Sequence, residues 1–228
     1  MTSVSHQHAQ KFGELRATLQ GRPSPQGWHT ICHTLDSFPM EMLEHEVLPY
    51  ATQLLANWPD DLRSTPQVWL DYFLRGDPTP QLALCTRLWR SRANTMEIKA
   101  FLKSTLFQQI THLELVSCYL DHKTAKLLID TKILHNLHTI DLSFNALGDE
   151  GATLIANSPS SSNLKVLRLD QNNIHDDGAQ AIARSPHLSN LQTLTLYNNP
   201  IGPWGVEELR LSKHLSHSAK DPWLFGHS

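Results

Sequence analysis

Fourteen histidines in a chain of 228 residues raise the question of metal or acid–base chemistry. A metal site needs imidazole, thiolate or carboxylate ligands converging at short, regular spacings. The closest pair, His6 and His8, has no cysteine or carboxylate partner at ligand spacing, and the other histidines are scattered. His175, Asp176 and Asp177 stand together and suggest acid–base work. Yet Asp149 and Glu150 hold the same place in the earlier phrase GDEG that Asp176 and Asp177 hold in HDDG, and aspartate ahead of a helix is a favoured N-cap. A turn-and-cap role therefore accounts for the cluster. Cys32, Cys85 and Cys118 are too few and too dispersed for a disulfide framework, which points to a reducing, cytoplasmic compartment. No nucleophile elbow, phosphate loop or paired-cysteine zinc pattern occurs, so no cofactor, no metal and no catalysis are expected. An enzyme with a site between two domains would need a motif that the chain lacks.

The elements around these residues repeat. Segments starting at Ile110, Leu137, Leu164 and Leu191 read ITHLELVSCYL, LHTIDLSFNAL, LKVLRLDQNNI and LQTLTLYNNPI, and their starts are evenly spaced at a period of 27. A constant period without insertion means stacked copies of one supersecondary unit. Apolar residues at unit positions 1, 4, 6 and 11 alternate around a strand and then turn inward again. At position 9 stand Cys118, Asn145, Asn172 and Asn199, where the chain leaves the strand. A side-chain amide there can donate and accept, so these four residues are expected to form a structural ladder serving the loop amides of neighbouring coils. The second half reads GDEGATLIANSP and HDDGAQAIARSP in the middle copies. Asp149 and Asp176 suit N-caps of their own helices. The Gly151–Ala152 and Gly178–Ala179 pairs suit close packing.

The pattern LxxLxLxxNxL followed by xDxGAxxIA resembles the leucine-rich repeats of the ribonuclease-inhibitor-like class, over residues 110–217. The resemblance implies an α/β fold: a short right-handed solenoid of about four 27-residue repeats, with a parallel sheet inside and helices outside. It also implies protein binding as the work of the module. The first copy departs through Cys118 and Thr124, and the last through Trp204 and Arg210, as terminal repeats do.

Residues 1–109 lack the period and read as an α-helical N-terminal region. Helices are expected over 6–20, around Trp28–Leu35, over 41–58 with a kink at Pro49, from Thr65 and Thr79 in the related phrases TPQVWLDYFLRG and TPQLALCTRLWR, and over 94–108. The region should dock on the solenoid as a cap, because a repeat stack exposes apolar rows at its ends and no flexible tether intervenes. At the other end, residues 218–228 carry Trp223, Leu224 and Phe225, expected to fold back over the last repeat. The N-terminus lacks the apolar run of a signal peptide and no stretch could span a bilayer. A net charge of −3 gives no case for nucleic acid or an anionic membrane.

The expected function is therefore recognition of a protein partner by the concave face. Outward strand positions place Asp141, Phe144, Arg168, Asp170 and Tyr197 there, and aromatic residues with arginine dominate binding hot spots. An alternative rests on SFPMEMLEHEVLPY and LALCTRLWRSR, within residues 37–92, which resemble the two ends of an F-box. Phe38, Pro39 and Glu41 would answer to its opening, Val47 and Leu48 to its first helix, and Cys85, Arg87 and Trp89 to its closing helix. That resemblance implies a substrate-recognition adapter of a ubiquitin ligase.

Overall fold

The computed structural model describes residues 2–131, 133–216 and 219, so the expected cover by Trp223, Leu224 and Phe225 lies outside the described residues. The chain divides into two compact units, Met1–Arg87 and Leu88–Ser228.

The first unit is built on helices α1 (Thr2–Gln20), α2 (Pro25–Leu35), α3 (Met40–Met42), α4 (Leu48–Leu55) and α5 (Gln67–Arg75). Ser24 caps α2 by accepting from the Gly27 amide at 3.0 Å, and Pro25 sits in the first turn, where no N–H is needed. The kink expected at Pro49 is resolved upstream. Residues Leu43–Val47 widen into a π-turn in which the Leu48 amide reaches Leu43 O, and Pro49 then falls in the first turn of α4. Gly76 closes α5 with φ of 86°, a left-handed cap open to glycine. Leu15, Ile31, Leu35, Val47, Leu55, Trp69, Leu70 and Leu82 form the core. Each buried indole N–H finds an acceptor: Trp28 with Ser64 O at 2.7 Å, Trp58 with Leu19 O at 3.3 Å, and Trp69 with Asp36 Oδ1 at 2.7 Å.

The helix expected from Thr79 does not form. Pro80–Leu84 makes a 3-10 turn and the chain then extends into strand β1 (Arg87–Ser91). Cys85, Arg87 and Trp89, which the F-box resemblance places on a closing helix, lie in this extended stretch instead. The apolar residues Leu82, Leu84 and Leu88 all become buried. Their i, i+2, i+6 spacing is compatible with either structure, and burial in the extended form wins.

The second unit continues with α6 (Thr95–Lys103), β2 (His112–Val116), α7 (His122–Asp130), β3 (Thr139–Asp141), α8 (Gly148–Asn157), β4 (Val166–Arg168), α9 (Asp176–Arg184), β5 (Thr193–Thr195) and α10 (Pro203–Leu211). The five strands lie in one sheet in chain order. From β2 to β5 the pairs are parallel, with Thr139 opposite His112, Val166 opposite Thr139 and Thr193 opposite Val166. Each partner lies one period further along the chain, so the sequence period is the sheet register. Leu113, Leu115, Ile140, Leu142, Leu167, Leu169, Leu194 and Leu196 are fully buried on one face, and Leu128, Ile155, Ile182 and Leu209 of the helices are buried as well. Asn94 caps α6 by accepting from Met96 N and Glu97 N, and Asp121, one period later, caps α7 in the same way. Glu97 pairs with Arg90 at 3.8 Å rather than reaching back to the cap.

Candidate functional site

Position 9 of each coil is occupied as a bridge between neighbours. Asn145 Oδ1 accepts from Cys118 N at 2.8 Å and Leu120 N at 3.1 Å, while its Nδ2 donates to Leu115 O, Leu142 O and Ser143 O. Asn199 makes the same kind of bridge at the end of the row, accepting from Asn172 N and Ile174 N and donating to Leu169 O. Asn172 is fully buried but less fully used, with Leu147 N at 3.3 Å and donations to Leu142 O and Asp170 O. Cys118 stands in for asparagine by aiming its thiol at Arg90 O, at 3.4 Å. Desolvation raises the pKa of that thiol and those of Cys32 and Cys85, the last to about 12, so all three remain buried thiols rather than nucleophiles.

Asp149 and Asp176 cap the following helix instead of their own. Asp149 Oδ1 accepts from His175 N at 2.7 Å and Gly178 N at 3.0 Å, at the start of α9, and Asp176 Oδ1 accepts from Gly202 N and Gly205 N, at the start of α10. A carboxylate at a helix N-terminus satisfies its unpaired amides and the dipole together. His175, with Nδ1 3.5 Å from Asp149 Oδ2, belongs to the same bridge. The cluster that suggested acid–base work is thus consumed by backbone amides. Glycine is required where the carboxylate arrives: a Cβ on Gly178 would lie 2.6 Å from Asp149 Oδ1 and 2.8 Å from Ile174 Cγ2. Gly178→Ala is expected to destabilise by about 1–3 kcal/mol through overpacking. Gly13→Ala, in α1 with nothing within 4 Å of the added methyl, should be stabilising by helix propensity. Paired thermal melts check the opposite signs.

Two further periodic bridges are not evident from the sequence. Asn136, Asn163 and Asn190 donate to Gln108 O, His135 O and Ser162 O, each 28 residues back. Ser185 and Ser212 donate to Ala156 O and Ala183 O, closing the C-termini of α8 and α9. Both sets recur at the period of the repeat, but serine and asparagine are common enough in turns to pass unnoticed.

The proposed contact residues divide into two groups. Asp141 and Arg168 lie on strands β3 and β4, with Arg168 Nη1 3.7 Å from Asp141 Oδ2, and Asp170 lies two residues beyond β4. Asp170 is held by Thr195 Oγ1 at 2.9 Å and by Tyr197 N at 2.7 Å. Burial raises its pKa, and neighbouring Asp141 adds to this. Phe144 is not on the strand. It lies in the turn with a left-handed backbone, φ 61°, shared by Ser117, Gln171 and Asn198 at the same position of the other coils. The residue is 50% exposed, and Tyr119 of the preceding coil, φ 54°, is 86% exposed. Tyr197 is half-buried. Ser143, at the unit position of Asp170 and Tyr197, and Thr195, at that of Asp141 and Arg168, are buried at 4% and 7% exposure.

Among the described residues no group of three or more His, Cys, Asp or Glu side chains could hold a metal ion, and no helix is long and apolar enough to cross a membrane. No curated protein matches the chain. The family model for the Leucine Rich repeat matches residues 134–156 and 160–183, the stretches that supply β3 with most of α8 and β4 with most of α9. The parallel register, the bridging asparagines and this match agree over that stretch: two leucine-rich repeats are detected there.

Proposed function

We propose that the protein is a non-catalytic recognition module that binds a protein partner on the sheet side of its repeats, the concave face if the coils curve as a solenoid. Leucine-rich repeats generally mediate protein–protein interaction, which supports the class of function. Phe144 carries the choice of surface. A bulky residue in the left-handed region costs about 1–2 kcal/mol relative to the right-handed one, and Phe144 is exposed despite its apolar side chain. Strain held together with exposed apolar surface is an arrangement that partner binding rewards. Tyr119, on the neighbouring coil, combines the same backbone sign with high exposure. Arg168 and the two carboxylates beside it supply the polar contacts.

Replacing Phe144, Arg168 and Tyr197 together by alanine is expected to abolish capture of the partner while circular dichroism is unchanged, since hot-spot side chains each contribute about 2 kcal/mol or more. Gln180→Ala with Arg184→Ala, on the α9 surface, should leave capture intact. Capture retained by the triple variant and lost by the α9 pair would move the site to the helices. A separate expectation follows from the backbone alone. Phe144→Asn should raise stability by on the order of 1 kcal/mol, because asparagine tolerates this conformation, and should weaken capture. Chemical denaturation alongside the binding assay tests the trade.

A further inference from the structure

A second concave site lies within the first unit, away from the repeats. Residues along one stripe of α2, among them Trp28, Cys32 and Asp36 just past its end, form one wall of a groove. Leu62, Pro66 and Val68 form the other. The space is about 460 Å³, within the ~300–1,000 Å³ typical of ligand sites. Most of its chemistry is already committed. The Trp28 indole N–H is given to Ser64 O, and Thr65 Oγ1 is given to Arg87 O. Cys32 is a protonated thiol, its pKa raised by desolvation. It therefore acts as apolar floor, and the imidazoles of His29 and His33 at the rim have no thiolate beside them to complete a metal site.

Asp36 is different. Its Oδ1 accepts from Trp69 Nε1 at 2.7 Å and from Gln81 Nε2 at 3.5 Å, and both partners are buried, at 0% and 5% exposure. One oxygen is thus pinned from the protein side. Among the described residues no lysine or arginine forms an ion pair with the carboxylate, and Asp36 lines the groove. A fixed carboxylate at the end of an apolar channel matches a group with a cationic head on an aliphatic stem. We propose that this groove receives an arginine or lysine side chain of a partner polypeptide, its methylenes against Trp28, Cys32 and Val68 and its charge on Asp36. The open groove, with Val68 43% exposed on its wall, leaves room for the flanking peptide.

The test uses the full-length 15N-labelled protein and follows the Trp28 and Trp69 indole N–H resonances. Titration with acetyl-Leu-Arg-Leu-amide should shift both saturably, and the citrulline peptide, equal in shape but uncharged, should bind about tenfold more weakly. Asp36→Asn keeps an oxygen for the Trp69 indole and should also lose about tenfold, with the rest of the spectrum unchanged. Val68→Ser, at an exposed wall position, should weaken binding several-fold without touching the carboxylate. Equal binding of the arginine and citrulline peptides would overturn the proposal. So would agmatine alone binding as well as the peptide, which would make the occupant a small amine, or no shift at about 5 mM peptide.

Discussion

Asn145→Ala is expected to lower stability by about 2–5 kcal/mol, more than Asn172→Ala, for which about 1–3 kcal/mol is expected. The difference comes from what each amide holds. Removing Asn145 strips two backbone amides, Cys118 N and Leu120 N, of their acceptor and three carbonyls of a donor. A buried group left unsatisfied costs about 1–3 kcal/mol, and water can reach some of these. Asn172, although fully buried, accepts from one amide among the described residues, Leu147 N at 3.3 Å. Burial alone would rank the two the other way. Denaturation midpoints of both variants decide: a smaller loss at Asn145 would mean that loop relaxation or water replaces the bridge.

A chain beginning at Ile110 should fail to give a soluble monomer, whereas one beginning at Leu88 should keep the second unit folded. The first unit ends at Arg87, and β1 with α6 lies within the compact body of the repeats. Starting at Ile110 strips β2 of its neighbour, leaving a row of unpaired backbone groups along an apolar strand. It also removes Ile98, Phe101 and Phe107, all buried at 0–1% exposure, together with the Arg90 carbonyl that receives the Cys118 thiol. Size-exclusion chromatography and thermal melting of the two truncations test this. A cooperative, monomeric Ile110 chain would show that β1 and α6 are dispensable.

The repeats are legible because leucine at fixed positions and a strand register of one period are the same fact seen twice. β1 is hidden for a local reason. One period before Ile110, where the pattern requires a leucine, there is Ala83, and the phrase at Thr79 copies the helix start at Thr65. Thr65 itself is no cap: its amide and hydroxyl both go to Arg87 O. The carboxylates of Asp149 and Asp176 read as caps, but of the wrong helix, because spacing in sequence does not say that the next coil's N-terminus is nearer. At the contact surface, residue type alone singles out Phe144, but its left-handed backbone leaves no trace, since serine, phenylalanine, glutamine and asparagine share that position. The sequence marks Trp28, Ile31 and Leu35 as a helix and does not single out Cys32 and Asp36 beside Trp28. The wall that makes them a groove comes from Leu62, Pro66 and Val68, well further along the chain.

The forward-reaching aspartates have a consequence for how such a chain can change length. Asp149 serves residues 26 and 29 positions ahead, and Asp176 serves residues at the same two offsets. Cutting out one whole period from within this region therefore brings a donor and acceptor of the right kind into the place of those removed, and duplicating one does the same. A deletion one residue shorter or longer would leave the bridges that span it out of step. Genetic gain or loss of material is thereby tolerated in whole coils and punished in fractions, so a lineage carrying this chain can lengthen or shorten its sheet surface in a single event without redesigning a single contact.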